Sequence, residues 1–198
     1  AYSELSKSKS EYVQFYMKNH EQIPTWIMIK VVNFSTFIDV LHNSKTNVTH
    51  AICKLYSMYD DNNLPNVKLL IGSLHWLRRV RNSCAHNERV YCIHQTQARN
   101  NSASGRILDP YYTQLPTSYS RCTEKNIFDI LVYFKYFLPT EEFTPMIIEL
   151  KNMLIELQNT LQTNAFDNVR GQMGIKNLNV LDALIALPKS KIEYHKFD

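Results

Sequence analysis

Apolar side chains recur at three- and four-residue spacing along most of this chain, the period of an amphipathic helix rather than the alternation of a strand. Residues 8–20 carry Val13, Tyr16 and Met17 on one such face. Pro24 suits the first position of a helix. The pattern behind it (Trp26, Ile27, Val31, Phe34, Phe37, Ile38, Leu41) predicts one continuous helix. A third helix is predicted over 46–59, closed by the polar turn Asp60-Asp61-Asn62-Asn63 before Pro65. A fourth runs over about 67–90. The fifth, 124–138, is apolar and aromatic. The sixth, 140–163, places Phe143, Ile147, Leu150, Leu154, Leu157 and Leu161 on one face. A last amphipathic piece, 178–187, ends at Pro188. Residues 95–123 are polar and irregular, and a loop of that length inside a domain is either functional or mobile. The expectation is a single all-α domain over 1–198, a helical bundle with a long polar loop after the fourth helix.

Composition supports the helical reading and excludes some chemistry. The chain of 198 residues has only 4 glycines, against roughly 14 at the average usage of about 7%. Few turns can therefore demand positive φ, which argues against a sandwich, a barrel or a Rossmann sheet. Gly72, Gly105, Gly171 and Gly174 form neither a GxGxxG nor a Walker phosphate loop. With 22 Lys plus Arg against 18 Asp plus Glu, the net charge is +4. That permits nucleic-acid binding without demonstrating it. Cys53, Cys84, Cys92 and Cys122 are too irregularly spaced for a disulfide framework and read as reduced thiols of a cytoplasmic protein. No apolar run reaches membrane-spanning length, so no membrane association is expected.

The chemistry concentrates in Leu74 to Val90. Taken as one helix at about 100° per residue, Leu70, Leu74, Leu77, Val80 and Cys84 share a core-facing side. Arg78, Asn82, His86 and Arg89 share the opposite stripe. Asn82 and His86, four apart, are direct neighbours. Arg81, five before His86, lies about 140° around the helix from it. One regular helix does not aim both at the same atom; two facing copies, or a local change of pitch, could. An imidazole exchanges protons near neutral pH. Guanidinium groups hold phosphate oxygens and stabilise developing charge. RNA brings its own nucleophile, the 2′-hydroxyl, so His and Arg together suffice for metal-free cleavage to a 2′,3′-cyclic phosphate and a 5′-hydroxyl.

Arg81-Asn82-Ser83-Cys84-Ala85-His86 matches the R-x4-H motif of HEPN ribonucleases. The wider string Leu77 to Arg89, with Ala-His-x-x-Arg, resembles the bacterial abortive-infection Abi-like family (the AbiD/AbiF group). Upstream, Ser8-Lys9-Ser10-Glu11-Tyr12-Val13 and Ile23-Pro24-Thr25-Trp26-Ile27 agree with it. The resemblance covers about half the chain. It implies an all-helical HEPN bundle, metal-independent RNase activity in phage defence or toxin–antitoxin systems, and a homodimer that brings two motifs together. A small structured RNA antitoxin is a further implied partner. Carried over by position, Arg81 and His86 are the catalytic pair, Asn82 the polar companion and Arg89 the trailing arginine. Asn87 stands where many relatives have a second His, and Asn33-Phe34-Ser35 replaces a more usual Phe-Gly pair. The family is usually longer at the N-terminus, so a preceding segment is expected.

Blander readings compete with this one. Arg78, Arg79 and Arg89 beside the motif make phosphate binding plausible, although a charge cluster is usually only a solvated face. The same helix could bind RNA or protein without cutting, as a module held in an inhibited complex. Cys84-x-His86 and Cys92-x-His94 form a C-x-H pair, but zinc sites prefer C-x2-C or H-x3-H spacing, so neither metal nor cofactor is expected. Tyr111, Tyr112 and Tyr119 could stack on bases, and tethering the loop is the simpler role. Gly72 inside the motif helix costs about 1 kcal/mol relative to Ala, which close packing there would repay.

Overall fold

The computed structural model describes residues 2–20, 23–24, 27–28, 31–60, 62–96 and 124–187. Their regular structure is helical apart from one short ribbon and an isolated Tyr59–Pro65 bridge, so the all-α expectation holds. The helices are α1 (Tyr2–Lys7), α2 (Glu11–Asn19), α3 (Phe34–His42), α4 (Thr46–Leu55), α5 (Val67–Ala85), α6 (Ile127–Phe137), α7 (Thr140–Thr160), α8 (Thr163–Gln172) and α9 (Asn179–Ala186). A 3₁₀ turn, Val90–Cys92, follows α5. Strands β1 (Gln95–Thr96) and β2 (Glu124–Lys125) pair antiparallel, with Gln95 opposite Lys125 and Thr96 opposite Glu124. This pair brackets the expected loop. Its residues 97–123, with Tyr111, Tyr112, Tyr119 and Cys122, lie outside the described residues, as do Trp26 and Pro188.

Two compact units divide the chain, residues 1–49 and 50–198, and the division falls within α4. In the first unit, α1 packs on α2. Leu5, Val13 and Ile27 are fully buried at its centre, with Tyr16, Met17, Ile23, Met28 and Val31 packed around them. The helix expected to run unbroken from Pro24 to Leu41 is interrupted. The amides of Ile27 and Met28 donate to the Pro24 carbonyl. At Asn33 the backbone is extended (φ −69°, ψ 160°), and its side chain accepts from Thr36 N at 2.9 Å to open α3. Asn is among the strongest N-caps because its side chain competes for helical amides.

In the second unit, α6 is apolar on all sides and central. Phe128, Ile130, Leu131, Val132, Tyr133 and Tyr136 are all buried, as expected of a helix covered on every face. It packs on α5 and α7, and α7 packs on α8 and α9. Buried Lys135 of α6 donates to the Leu184 carbonyl at 2.7 Å, satisfying the C-terminal end of α9. The helix expected over 46–59 stops at Leu55, because Ser57 turns left-handed at φ 52°. The Asp60 carboxylate then accepts from the amides of Asn62 and Leu64, each at 2.9 Å, fixing the anticipated polar turn. Helix α8 was not anticipated. Phe166 is its one buried residue, so it carries no apolar period to read.

Candidate functional site

Helix α5 is opened by Asn66, whose side chain accepts from Leu69 N at 3.0 Å. Its core face differs from the expected one. Leu69, Leu70, Ser73, Trp76 and Ser83 are buried, whereas Leu74, Leu77 and Val80 are only half-buried and Cys84 is exposed. The face is rotated because Trp76, the largest apolar group of the segment, goes inward. Its Nε1–H donates to the Asn126 carbonyl at 3.1 Å, which gives the buried indole its partner.

That bond attaches α5 to the start of α6. Asn126 caps α6 by accepting from Phe128 N at 3.1 Å, while its own amide donates to Asp129 Oδ2 at 2.8 Å, a reciprocal capping box. Gly174 crowds the same residue from the end of α8. It sits at φ +78°, and a Cβ there would collide with the Asn126 side chain. Lys125 immediately precedes this fixed point and is thereby held across from α5.

The end of α5 also departs from expectation. The helix does not continue to Val90; it stops at Ala85, with His86 as its C-cap. Asn87 adopts φ 55°. Its amide donates to the Cys84 carbonyl at 3.1 Å, and Glu88 N donates to Ser83 O at 2.9 Å. Together these make a Schellman stop with Asn at the left-handed position. Arg89 therefore lies beyond the cap in extended backbone, not on the stripe of Arg78, Asn82 and His86. The local change of pitch raised by the sequence falls at the histidine itself.

A cleft of about 650 Å³ opens along this stripe, lined by His75, Arg78, Arg79, Asn82 and His86 of α5 and its cap, and by Lys125 of β2. Glu88 contributes a carboxylate, and Gly72 also lines the cleft. Asn82 and His86 are exposed to solvent. The Arg79 guanidinium lies 5.4 Å from the centre of the Trp76 ring, a cation–π placement that limits its wandering. Arg81 and Arg89 do not line the cleft. Arg81 reaches it through one intermediary, donating from Nη1 to Asn82 Oδ1 at 3.1 Å. Of the six residues singled out in the sequence, four thus meet in one cavity and a fifth holds one of those four.

His75 and Lys125 were missed. His75 lies four before Arg79, seven before Asn82 and eleven before His86, so its place on the stripe was legible from spacing. Lys125 had no such signal, since only the pairing of β1 with β2 and the cap at Asn126 bring it across. Cys53 is fully buried, and desolvation pushes its thiol up to about 11, the behaviour of an inert core cysteine. Among the described residues, no three His, Cys, Asp or Glu side chains converge where a metal could be held. No described helix is long and apolar enough to cross a membrane.

Among the described residues, fold and site together define a helical bundle with one short ribbon, whose motif-bearing helix α5 presents a basic cleft with an exposed histidine. Residues 1–92 match the family model described as Abi-like protein, a span that includes the whole of α5 and its cap. This bears out the resemblance to the Abi-like family. No curated protein and no solved structure shows a significant match to the chain.

Proposed function

We propose that this protein is a metal-independent endoribonuclease of HEPN type, acting in bacterial phage defence by abortive infection or as the toxin of a toxin–antitoxin pair. The observation that carries this reading is the cleft in which His86 and Asn82 stand beside Arg78 and Arg79, on the segment bearing the R-x4-H motif. Match of residues 1–92 to the Abi-like model supports the biological setting.

In the reaction, a backbone phosphate sits against the arginines, which offset its charge. The 2′-hydroxyl oxygen bonds to the adjacent phosphorus while its proton passes to the neutral His86 imidazole. The P–O5′ bond breaks in line, and the 5′-oxygen takes a proton from the imidazolium of a second copy facing the first. Asn82 orients the imidazole or the phosphate, and Arg81, outside the cleft of its own chain and hydrogen bonded to Asn82, meets the charge gathering on the phosphorane from the facing copy. A homodimer meets the need for two imidazoles, and a small structured RNA that occupies the cleft would restrain the enzyme.

The products test the chemistry. RNA incubated with the protein in EDTA is expected to yield ends with 2′,3′-cyclic phosphate and 5′-hydroxyl. Fragments with 5′-phosphate would mean that water or a metal-bound hydroxide is the nucleophile. RNA bound but left intact would instead identify a non-catalytic module.

A further inference from the structure

A second cavity, of about 620 Å³, adjoins the junction between β2 and α6. Lys125 lines the basic cleft, and the next residue, Asn126, lines this one. Helix α8, packed on the 3₁₀ turn, supplies Asp167, Asn168, Gly171 and Gln172, and His94 stands across from them. Three features of the lining point to an occupant. Gly171 lies within α8 in ordinary helical backbone, without positive φ. A Cβ there would meet no atom within 4 Å. Neither conformation nor packing calls for glycine, which weakens a helix relative to alanine. Its bare backbone opens to the cavity, where a flat group can approach closely. Asn126 is only 9% exposed, and the bond from Phe128 N to its Oδ1 at 3.1 Å fixes which way the amide faces. Its Nδ2 donors have no partner among the described residues, and a buried donor without an acceptor is costly. The wall is also polar without being cationic. The Asp167 carboxylate, paired with Arg170 at 2.8 Å, can only accept. Among the described residues no lysine or arginine lines the cavity, so it is not built for phosphate.

We propose that this cavity binds a nucleobase, guanine in preference to the others. Its occupant must offer an acceptor to Asn126 and donors to Asp167. A base carries both on one rigid edge, whereas a peptide group carries its donor and acceptor on opposite sides. Guanine alone among the common bases sets an acceptor, O6, beside two neighbouring donors, N1–H and the 2-amino group. The ring lies over Gly171. The His94 imidazole, oriented by its Nδ1–H donating to the Cys92 carbonyl at 3.2 Å, gives a flat surface for stacking. A free nucleotide and an unpaired base of RNA present the same edge. Binding here does not involve His86 or cleavage, so it stands apart from the ribonuclease reading.

The probes are the 5′-monophosphates of guanosine, adenosine and cytidine, titrated into the full chain by calorimetry, and two 2′-O-methyl RNA pentanucleotides, A-A-G-A-A and A-A-A-A-A. The guanine member of each set is expected to bind at least about tenfold tighter, since a site built to hydrogen-bond a group rejects analogues that lack it. Asp167→Asn should weaken guanine binding about tenfold, the loss of one charge-assisted contact, and narrow the preference. Gly171→Ala puts a methyl into the cavity. Guanine binding should fall at least about tenfold, while the unfolding midpoint rises by about 2–4 °C; a glycine kept for packing would show the reverse. A guanine preference among the nucleotides identifies a free ligand, and one seen only with the pentanucleotides identifies an RNA base; either supports the site. Equal affinity within both sets, no binding of any probe, or guanine binding unchanged in Gly171→Ala would overturn the inference. Cleavage by the wild type in EDTA, measured alongside, separates this failure from failure of the ribonuclease reading.

Discussion

At the scale of single residues, Asn87 fixes the backbone turn that follows His86. A left-handed conformation costs most L-residues about 1–2 kcal/mol, and Asn tolerates it better because of its short polar side chain. Asn87→Gly should therefore keep or slightly raise stability and preserve activity. Asn87→Val should lower stability by about 1–2 kcal/mol, and it should reduce RNA cleavage further than its stability loss accounts for, because the cap carrying His86 shifts. Thermal unfolding and cleavage rates on the same samples check this pair. Equal activity in both variants would show that the cap does not position the imidazole. The cysteines make a second contrast. Cys84 is exposed and Cys92 half-buried, whereas the Cys53 thiol is pushed up to about 11 by burial. Alkylation at pH 8 should modify Cys84 and Cys92 in the folded protein and spare Cys53 until unfolding. The raised Cys53 value also has a sign for stability. The folded state holds the proton longer than the unfolded one, so its contribution is complete below the ordinary thiol value of 9.0 and is lost as pH rises to about 11.

At the scale of elements, the join between α5, α6 and α8 holds the two walls of the cleft together. Trp76 Nε1 bonds the Asn126 carbonyl at 3.1 Å, and Gly174 leaves room for the Asn126 side chain. Trp76→Phe keeps most of the buried area and removes one hydrogen bond, so it should cost about 1–3 kcal/mol through the orphaned carbonyl and the lost indole volume. Gly174→Ala combines positive φ with a collision and should cost about 2–4 kcal/mol. Denaturant titration measures both. An alanine at 174 that left stability unchanged would mean that Asn126 is not held from that side. A second Schellman stop closes α8, where Gly174 at φ 78° donates to Gly171 O at 3.0 Å and Ile175 N donates to Arg170 O at 3.1 Å. There a glycine marks the end, while Asn87 ends α5 with no glycine or proline nearby to mark it. The motif helix was therefore legible in its existence and polar stripe but not in its end, and Arg89 was assigned to a face that α5 does not reach. The core face was misplaced for a related reason: a run with Leu74, Leu77 and Val80 looks apolar on that side until the Trp76 indole finds the Asn126 carbonyl, fifty residues later.

At the scale of the whole chain, scarce glycine and helical spacing already carried the fold class, because a helical chain needs few positive-φ turns. The same spacing placed Arg78, Asn82 and His86 together. The cleft itself required contacts between residues far apart in sequence, and no local pattern encodes Lys125 opposite α5. Basic side chains around the cleft predict that RNA binding weakens steeply with salt, with a slope set by the number of phosphates engaged. The account turns on His86 as the proton acceptor and on Arg81 as its charged companion. The most direct test is the rate of RNA cleavage in EDTA by wild type, His86→Ala and Arg81→Ala, each confirmed as folded. Wild type should cut in the chelator, and each substitution should slow cleavage by about 10²–10⁴-fold. Cleavage at the wild-type rate by both variants, or activity that disappears with EDTA, would contradict it.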